Sequence, residues 1–358
     1  MNDQSFDLRS IGWTDDRREE LKEHFPGARA ARISAQHLSS YDVLTEQGPK
    51  TGQISGKFRH VSRSPAELPA VGDWVAIRDA NTDSVVIEGV LERRSTLSRK
   101  VAGDVTDEQI IGANIDCLFI VCALDDDFNL RRIERYLSLA WQSGAVPTIV
   151  LTKSDLCADE AEMQEAVEKI APGTDVFVVS AKDPSSITPL YESIPAGATL
   201  GLVGSSGVGK STLLNLFAGT DVMPTAALRR GGKGRHTTTH RQLIALSNGV
   251  TVIDTPGMRE LQLWDVSEGI PSAFEEIEEL ASACRFSDCS HVHEPGCAVK
   301  DAVEDGALPR ARLESYEKQV RELASLERRR DKRLARENSR RWTKAYKEVK
   351  HRTRHKQR

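Results

Sequence analysis

No stretch of this sequence approaches the roughly 18 consecutive apolar residues that a membrane-crossing helix needs, so no span is expected. The first residues, Met1 to Arg9, are polar. They lack the apolar run of a secretory signal, which points to the cytoplasm. In that reducing compartment disulfides are not expected, and the six cysteines are read as core, metal-binding or reactive groups. No segment repeats. What is present is an ordinary soluble composition, 39% hydrophobic and 28% charged. At 358 residues the chain has length for two or three domains with cores of their own.

The net charge of −4 is unevenly spread. Residues 328–358 hold 15 Lys and Arg against three acids, an excess of +12, which leaves −16 for the rest. An acidic body with a basic tail suggests an anionic partner for the tail, although a solvated charged helix has the same composition. Trp342 and Tyr346 share a face on such a helix, available to stack on bases or to pack on the protein's own surface.

A short helical pattern surrounds Arg17 to Phe25. Five short strand-like runs follow, Ala30–Ser34, Tyr41–Leu44, Gln53–Val61, Asp73–Ile77 and Ser84–Leu91, separated by Gly and Pro. That rhythm predicts a small β-barrel, of OB type or another small-barrel design. Arg59, His60, Arg63, Arg93, Arg94, Arg99 and Lys100 are candidates for positive charge on it. From about residue 112 strands and helices alternate, with strand candidates at Cys117–Cys122, Val146–Leu151, Val176–Val179, Leu200–Val203, Leu243–Leu246 and Thr251–Ile253. The clearest helix pattern is Asn129–Gln142, and a second covers 158–170. Alternation of this kind predicts a mostly parallel sheet covered by helices. Cys117 and Cys122 lie inside an apolar strand and read as core residues. After Leu261 the chain turns helical and acidic, then cysteine-rich, and a long charged helix begins near Leu308.

The chemistry is organised around Gly204-Ser205-Ser206-Gly207-Val208-Gly209-Lys210-Ser211-Thr212, which fits G-x-x-x-x-G-K-[ST]. An apolar strand precedes it and a helix pattern, Ser211 to Ala218, follows, the context in which such a loop wraps phosphates. Lys210 is expected to reach the β- and γ-phosphates and Ser211 to hold Mg²⁺. Asp254-Thr255-Pro256-Gly257 closes another strand, with Asp254 placed for Mg²⁺ and the Gly257 N–H for a γ-phosphate. Thr152-Lys153-Ser154-Asp155 resembles N-K-x-D, in which the Asp accepts two hydrogen bonds from the guanine edge and the Lys stem covers the base plane. Ser180-Ala181-Lys182 resembles the supporting S-A-K element. Thr152 departs from the usual Asn, keeping a hydroxyl but losing the amide. Gly234 to His240, with Thr237, Thr238 and Thr239, reads either as a switch loop completing Mg²⁺ coordination or as a basic surface loop.

Ordinary GTPases carry the phosphate loop first and the base-reading elements last. Here Thr152–Asp155 and Ser180–Lys182 precede the phosphate loop, and because all of these elements sit where parallel strands end, a permuted chain can still build one pocket. This order, with a β-domain before it and clustered cysteines after it, resembles the circularly permuted ribosome small-subunit-dependent GTPase A family (RsgA/YjeQ) over roughly residues 30–300. The resemblance implies an OB-type barrel within residues 1–105, a permuted α/β P-loop GTPase domain at 106–262, a helical zinc-binding domain at 263–310 and a basic helical tail at 311–358. It also implies GTP hydrolysis to GDP and phosphate, stimulated by the small ribosomal subunit during that subunit's late maturation, with the subunit and its rRNA as partners and no membrane. A monomer is expected.

Cys284-x4-Cys289-x-His291-x5-Cys297 gathers three thiolates and an imidazole, a Cys₃His set suited to structural Zn²⁺. Bare chemistry allows His291 or His293, and the family's spacing selects His291. For hydrolysis, Lys210, Asp254 and His236 are the candidate catalytic residues. A Ras-like enzyme orients the attacking water with Gln after the D-x-x-G glycine. Met258 stands there in this chain, and His236 in the switch-like loop is the candidate replacement, with a purely structural or rRNA-contacting role as the alternative. Two other functions compete: a P-loop ATPase or kinase, against which Asp155 speaks, and a non-catalytic RNA-binding module, against which Lys210, Ser211 and Asp254 speak together.

Overall fold

A computed structural model describes residues 6–62, 64–100, 108–218, 242–246, 249–254, 273–286, 289–291 and 294–321. His236, the threonines at 237–239, Gly257, Met258, His293, Arg63 and residues 322–358 of the basic tail lie outside these residues, as do the side chains of Asp254, Arg99 and Lys100.

The N-terminal part is a closed five-stranded barrel of OB-type order. Strands β1 (Arg29–Gln36), β2 (Tyr41–Thr45), β3 (Gly48–Ile54), β4 (Trp74–Asp79) and β5 (Ser84–Val90) run in the order β1-β2-β3-β5-β4, and β4 returns to β1. Closure is possible because β1 is shared along its length. Its first half pairs with β4 (Arg29↔Ile77, Arg32↔Trp74) and its second with β2 (Ile33↔Val43, Gln36↔Tyr41). A register shift between Ile33 and Ala35 supplies the bend that lets one strand serve two neighbours. Alternate residues point inward, so Ala31, Ile33, Val43, Val75, Ile77, Val85 and Ile87 form the barrel core.

One expected strand is corrected. Gln53–Val61 is not a single strand: β3 ends at Ile54, and helix α2 covers Gly56–Val61. Ser55 caps that helix by accepting the Phe58 N–H at 3.1 Å, so a local hydrogen bond overrides the apolar pattern. Arg93 is also not a surface charge. It lies against the fully buried Asp73 (2.7 Å) and donates to the carbonyls of Ala66 and Leu68, fixing the loop before β4. Burial is the leading influence on Asp73 and pushes its carboxyl upward, against the pull of Arg93.

A second core lies under the N-terminal helix α1 (Asp15–His24), where Leu8, Ile11, Trp13 and Leu21 pack with Trp74 and Leu91. A hairpin not foreseen from the sequence, β6 (Thr96–Lys100) with β7 (Glu108–Ala113), then leads out of the barrel. Gly72 is needed where barrel and hairpin meet. Its φ is +92°, and a Cβ there would stand 2.2 Å from the Ala113 carbonyl oxygen.

The α/β part has the strand order β10 (Asp175–Val178), β9 (Val146–Thr152), β8 (Cys117–Ala123), β11 (Thr199–Val203), β13 (Thr251–Asp254), β12 (Gln242–Ala245). Contacts from β10 through β13 are parallel and only the β12 pairing is antiparallel. The inner strands are buried on both faces, as a helix-covered parallel sheet requires. Helices α3 (Leu130–Ser143), α4 (Glu160–Ile170), α5 (Thr188–Glu192) and α6 (Lys210–Ala218) complete the unit. Asn129 caps α3 by accepting the Arg132 N–H at 3.1 Å. Cys122 is buried and Cys117 half-buried, and burial pushes the Cys117 thiol up to about 11, which makes it inert.

Among the described residues, barrel and α/β sheet meet at the bridge Ala35↔Gln242 and around the buried cation Arg32. Arg32, 1% exposed, donates to the Gly72 carbonyl (3.2 Å), the Asn114 carbonyl (3.3 Å), the Thr199 hydroxyl (2.7 Å) and the Ile11 carbonyl. It also lies over the Trp74 ring, 5.2 Å from its centroid. One guanidinium thus joins the N-terminal segment, the barrel, the connector and β11. Burial lowers its pKa to about 9, still above neutrality, so it stays charged.

Helices α7 (Glu275–Ser282), α8 (Ala298–Glu304) and α9 (310–321) form the C-terminal part. Arg312 of α9 fastens it to the α/β part. It pairs with Glu134 of α3 at 2.7 Å and Glu276 of α7 at 2.5 Å, and stacks 4.2 Å from the Phe274 ring centroid.

Candidate functional site

The phosphate loop leaves the buried strand β11 at Gly204 and enters α6 at Lys210. Gly204 has φ +142°, and a Cβ there would lie 2.2 Å from the Val121 carbonyl oxygen, so only glycine lets the loop turn this close to β8. The Lys210 ammonium folds into the loop and donates to the carbonyls of Gly204 (2.7 Å) and Ser205 (2.5 Å). Ser211 and Thr212 follow it in the first turn of α6, the place where backbone N–H groups and the helix dipole favour phosphate.

Thr152–Asp155 and Ser180–Lys182, the candidate base-reading elements, sit at the ends of neighbouring strands. Thr152 ends β9, and its hydroxyl donates to the Val208 carbonyl of the phosphate loop at 2.5 Å and lies 3.4 Å from that of Cys122. The lost Asn amide is therefore replaced by a hydroxyl link between β9 and the loop. Lys153 adopts left-handed φ +61°, which turns the chain sharply, and its ammonium meets Asp125 at 2.7 Å. Asp155 accepts from Ser180 Oγ at 2.6 Å and from the Lys182 ammonium at 2.6 Å. Lys182, and then Ser180, hold the Asp155 carboxyl below its ordinary value, so it is ionised and oriented as an acceptor. Ser180 is itself buried and also accepts the Lys182 N–H at 3.1 Å, while Ala181 lies between them at the turn. Ser154 begins the short turn that carries Asp155.

The sequence reading missed a set of residues after β8. Asp125 clamps Lys153. Asp127 pairs with Arg132 at 2.6 Å, and Arg132 donates in turn to Ser205 Oγ of the phosphate loop. The signal was available: three aspartates follow the C-terminal end of a parallel strand, the edge where ligands bind in open α/β sheets. Asp254 ends β13, the strand beside β11, with its backbone paired to Gln242.

A second cluster lies in the C-terminal part. Ligand atoms of Cys284, Cys289, His291 and Cys297 all fall within 4.8 Å of one another. Cys284 and Cys297 sulfurs are 3.9 Å apart, and His291 Nδ1 stands 3.4 Å from the Cys297 sulfur and 3.7 Å from that of Cys284. Zn–S bonds of about 2.3 Å set at tetrahedral angles require sulfurs about 3.8 Å apart, so these residues fit the ion. His291 reaches in through a left-handed backbone, φ +60°. Burial pushes the Cys284 thiol upward, but the backbone N–H groups of Val299 and Ala298 at the start of α8 and the neighbouring Cys297 and Cys289 outweigh it and hold the value below the ordinary one.

A phosphate-loop motif fed by β11, with Thr152–Asp155 and Ser180–Lys182 after β9 and β10 preceding it in the chain, has the order of a circularly permuted P-loop GTPase. Comparison with known proteins agrees. The chain belongs to the RsgA GTPase family: the profile of that description matches residues 90–264, and one described as 50S ribosome-binding GTPase matches 199–333. It is 46% identical to Small ribosomal subunit biogenesis GTPase RsgA 2 of Lactiplantibacillus plantarum, over 83% of this chain and 84% of that one. Identity to Small ribosomal subunit biogenesis GTPase RsgA of Opitutus terrae is 44%, over 95% and 96%. Among solved structures, YjeQ from Thermotoga maritima superposes with a TM-score of 0.63 at 31% identity, over 83% of this chain and 98% of that one. YloQ, described as a circularly permuted GTPase, gives 0.60 at 27% identity, over 84% and 97%. No helix among the described residues is long and apolar enough to cross a membrane.

Proposed function

We propose that this protein is a cytoplasmic, monomeric GTPase that binds the small ribosomal subunit and its rRNA and couples GTP hydrolysis to late maturation of the subunit. The observation that carries this reading is Asp155, ionised and aimed by Ser180 and Lys182 beside a phosphate loop. Guanine offers a paired donor edge to a carboxylate, and adenine does not. The names of the relatives, all small-subunit biogenesis GTPases, support the ribosomal partner.

In this reading the barrel takes residues 1–105, the GTPase unit 106–262, the zinc unit 263–310 and the basic tail 311–358. Gly204 to Thr212 bind the phosphates, with Lys210 against the β- and γ-oxygens. Thr152 to Asp155 and Ser180 to Lys182 hold the guanine. Ser211 and Asp254 hold Mg²⁺, which supplies charge neutralisation at the phosphates. Gly257 binds the γ-phosphate, and His236 orients the attacking water. Cys284, Cys289, His291 and Cys297 hold one structural Zn²⁺, with no open ligand position for catalysis.

The test is GTP turnover with and without purified small ribosomal subunits, with ATP as competitor. Subunits should raise the rate severalfold or more, and excess ATP should leave it unchanged. Equal competition by ATP, or no stimulation, refutes the reading.

A further inference from the structure

A cavity of about 370 Å³ opens between the N-terminal part of α3 and helix α9. Its wall carries Arg131, Arg132 and Arg135 of α3 and Lys318 of α9, and none of its lining residues is a carboxylate. Three acids stand at its margin: Glu314 lies 3.1 Å from Arg131, Asp127 lies 2.6 Å from Arg132, and the buried Glu134, already paired with Arg312, accepts from the hydroxyl of the lining Ser315. The start of the fourteen-residue helix α3 adds the positive end of a helix dipole.

The decisive residue is Gln319. It lines this cavity and is 4% exposed, yet among the described residues neither its amide nitrogen nor its amide oxygen has a hydrogen-bond partner. A buried amide left without partners costs free energy, so a ligand that supplies both is expected. Phosphate oxygens accept from the amide N–H and the arginines but offer the amide oxygen only repulsion. A ribose 2′-hydroxyl next to a phosphate provides the missing donor. We propose that this cavity binds a phosphate and adjoining 2′-hydroxyl of an RNA backbone. The inference deepens the ribosomal reading by naming a contact, and depends on it only for the RNA being ribosomal.

Arg132 gives the site a line to the nucleotide. The same guanidinium that lines the cavity donates to Ser205 of the phosphate loop. An RNA phosphate competes with Asp127 and Ser205 for it, so nucleotide and RNA affinities are linked, each altering the other by the same factor.

The test uses the full-length chain with protein-free small-subunit rRNA, a DNA of matching sequence, and inorganic phosphate as probes. The double variant Arg135→Ala/Lys318→Ala should lose rRNA affinity by about tenfold or more. Its dependence of log affinity on log salt should flatten by about one unit per lost contact. Gln319→Leu should melt no lower than the parent, because it removes an unpaired amide, yet bind rRNA more weakly and lose preference for RNA over DNA. Wild-type affinity and salt slope in both variants would overturn the proposal. So would a lower melting temperature of Gln319→Leu with rRNA binding intact. Protection by millimolar phosphate that vanishes in the double variant, with rRNA binding unchanged, would reassign the cavity to free phosphate. If intact subunits fail to stimulate turnover while the rRNA results hold, the ribosomal reading fails and the RNA site stands.

Discussion

Thr152→Val isolates the link between the base-reading strand and the phosphate loop. Valine matches threonine in shape and removes only the hydroxyl. In this protein that hydroxyl is buried and donates at 2.5 Å to the carbonyl of Val208, a residue 1% exposed. Depriving a buried carbonyl of a donor costs about 1–3 kcal/mol. The methyl that replaces the hydroxyl returns about 0.8 kcal/mol of burial at most. The net loss centres on about 1.2 kcal/mol, with about 2 kcal/mol as its upper end, and it falls on the position of the loop between Gly204 and Lys210 rather than on the sheet. Affinity for GDP and GTP should therefore drop about eightfold, and at most about thirtyfold, measured with a fluorescent guanine nucleotide. Thr152→Ser keeps the hydroxyl and loses a methyl, so it should cost stability but little nucleotide affinity. If Thr152→Val binds nucleotide within twofold of the parent while melting lower, the hydroxyl is only a structural tie and the argument is refuted.

Asp155→Asn should lower guanine affinity by about tenfold or more, since charge-assisted bonds are lost, and should improve binding of the xanthine nucleotide; competition between GTP and XTP reads both. Cys289→Ser should release zinc by metal analysis and unfold the segment between α7 and α8, seen as new protease cuts near 284–297. Lys153 is the main cause holding the Asp125 carboxyl low, and Lys182 does the same for Asp155. Groups with depressed values keep their contribution fully above the unfolded value of about 3.9 and lose it as pH falls through the folded one. Asp155 should thus contribute no step to nucleotide affinity from pH 8 to 5. The terminal phosphate of the nucleotide titrates at about 6, so the pH profiles of the parent and Asp155→Asn should run parallel there, and a step that the substitution removes would contradict the assigned charge.

Much of the nucleotide site is legible because it is written in contiguous motifs. Gly204 to Lys210 and Thr152 to Asp155 each carry their chemistry within one turn. The Cys₃His cluster is equally local, spanning Cys284 to Cys297. What the sequence hides is contact between distant residues. Nothing near Arg132 announces that it meets Ser205, 73 positions away, and the partners of Arg32 lie 21 to 167 positions off. Arg93 looks like free charge until the fold sets Asp73 against it. Local hydrogen bonding misled in the opposite way at Ser55, where a cap starts α2 inside a run that alternates like a strand.

The buried guanidinium of Arg32 also imposes an order on the chain's synthesis. Three of the acceptors of Arg32, at Ile11, Gly72 and Asn114, are available once residue 114 has been made, but Thr199 lies 85 positions downstream of Asn114. At 5–20 residues per second, about 4 to 17 s separate the two. Through that interval the nascent barrel holds a buried guanidinium whose last partner does not yet exist, and an incompletely paired buried charge keeps a fold marginal. Docking of β11 ends the wait, and β11 is the strand that delivers the phosphate loop. The barrel therefore reaches its full stability at the moment the chain acquires the means to bind nucleotide, and nascent chains stopped before residue 199 should show barrels far easier to digest than those stopped just after β11.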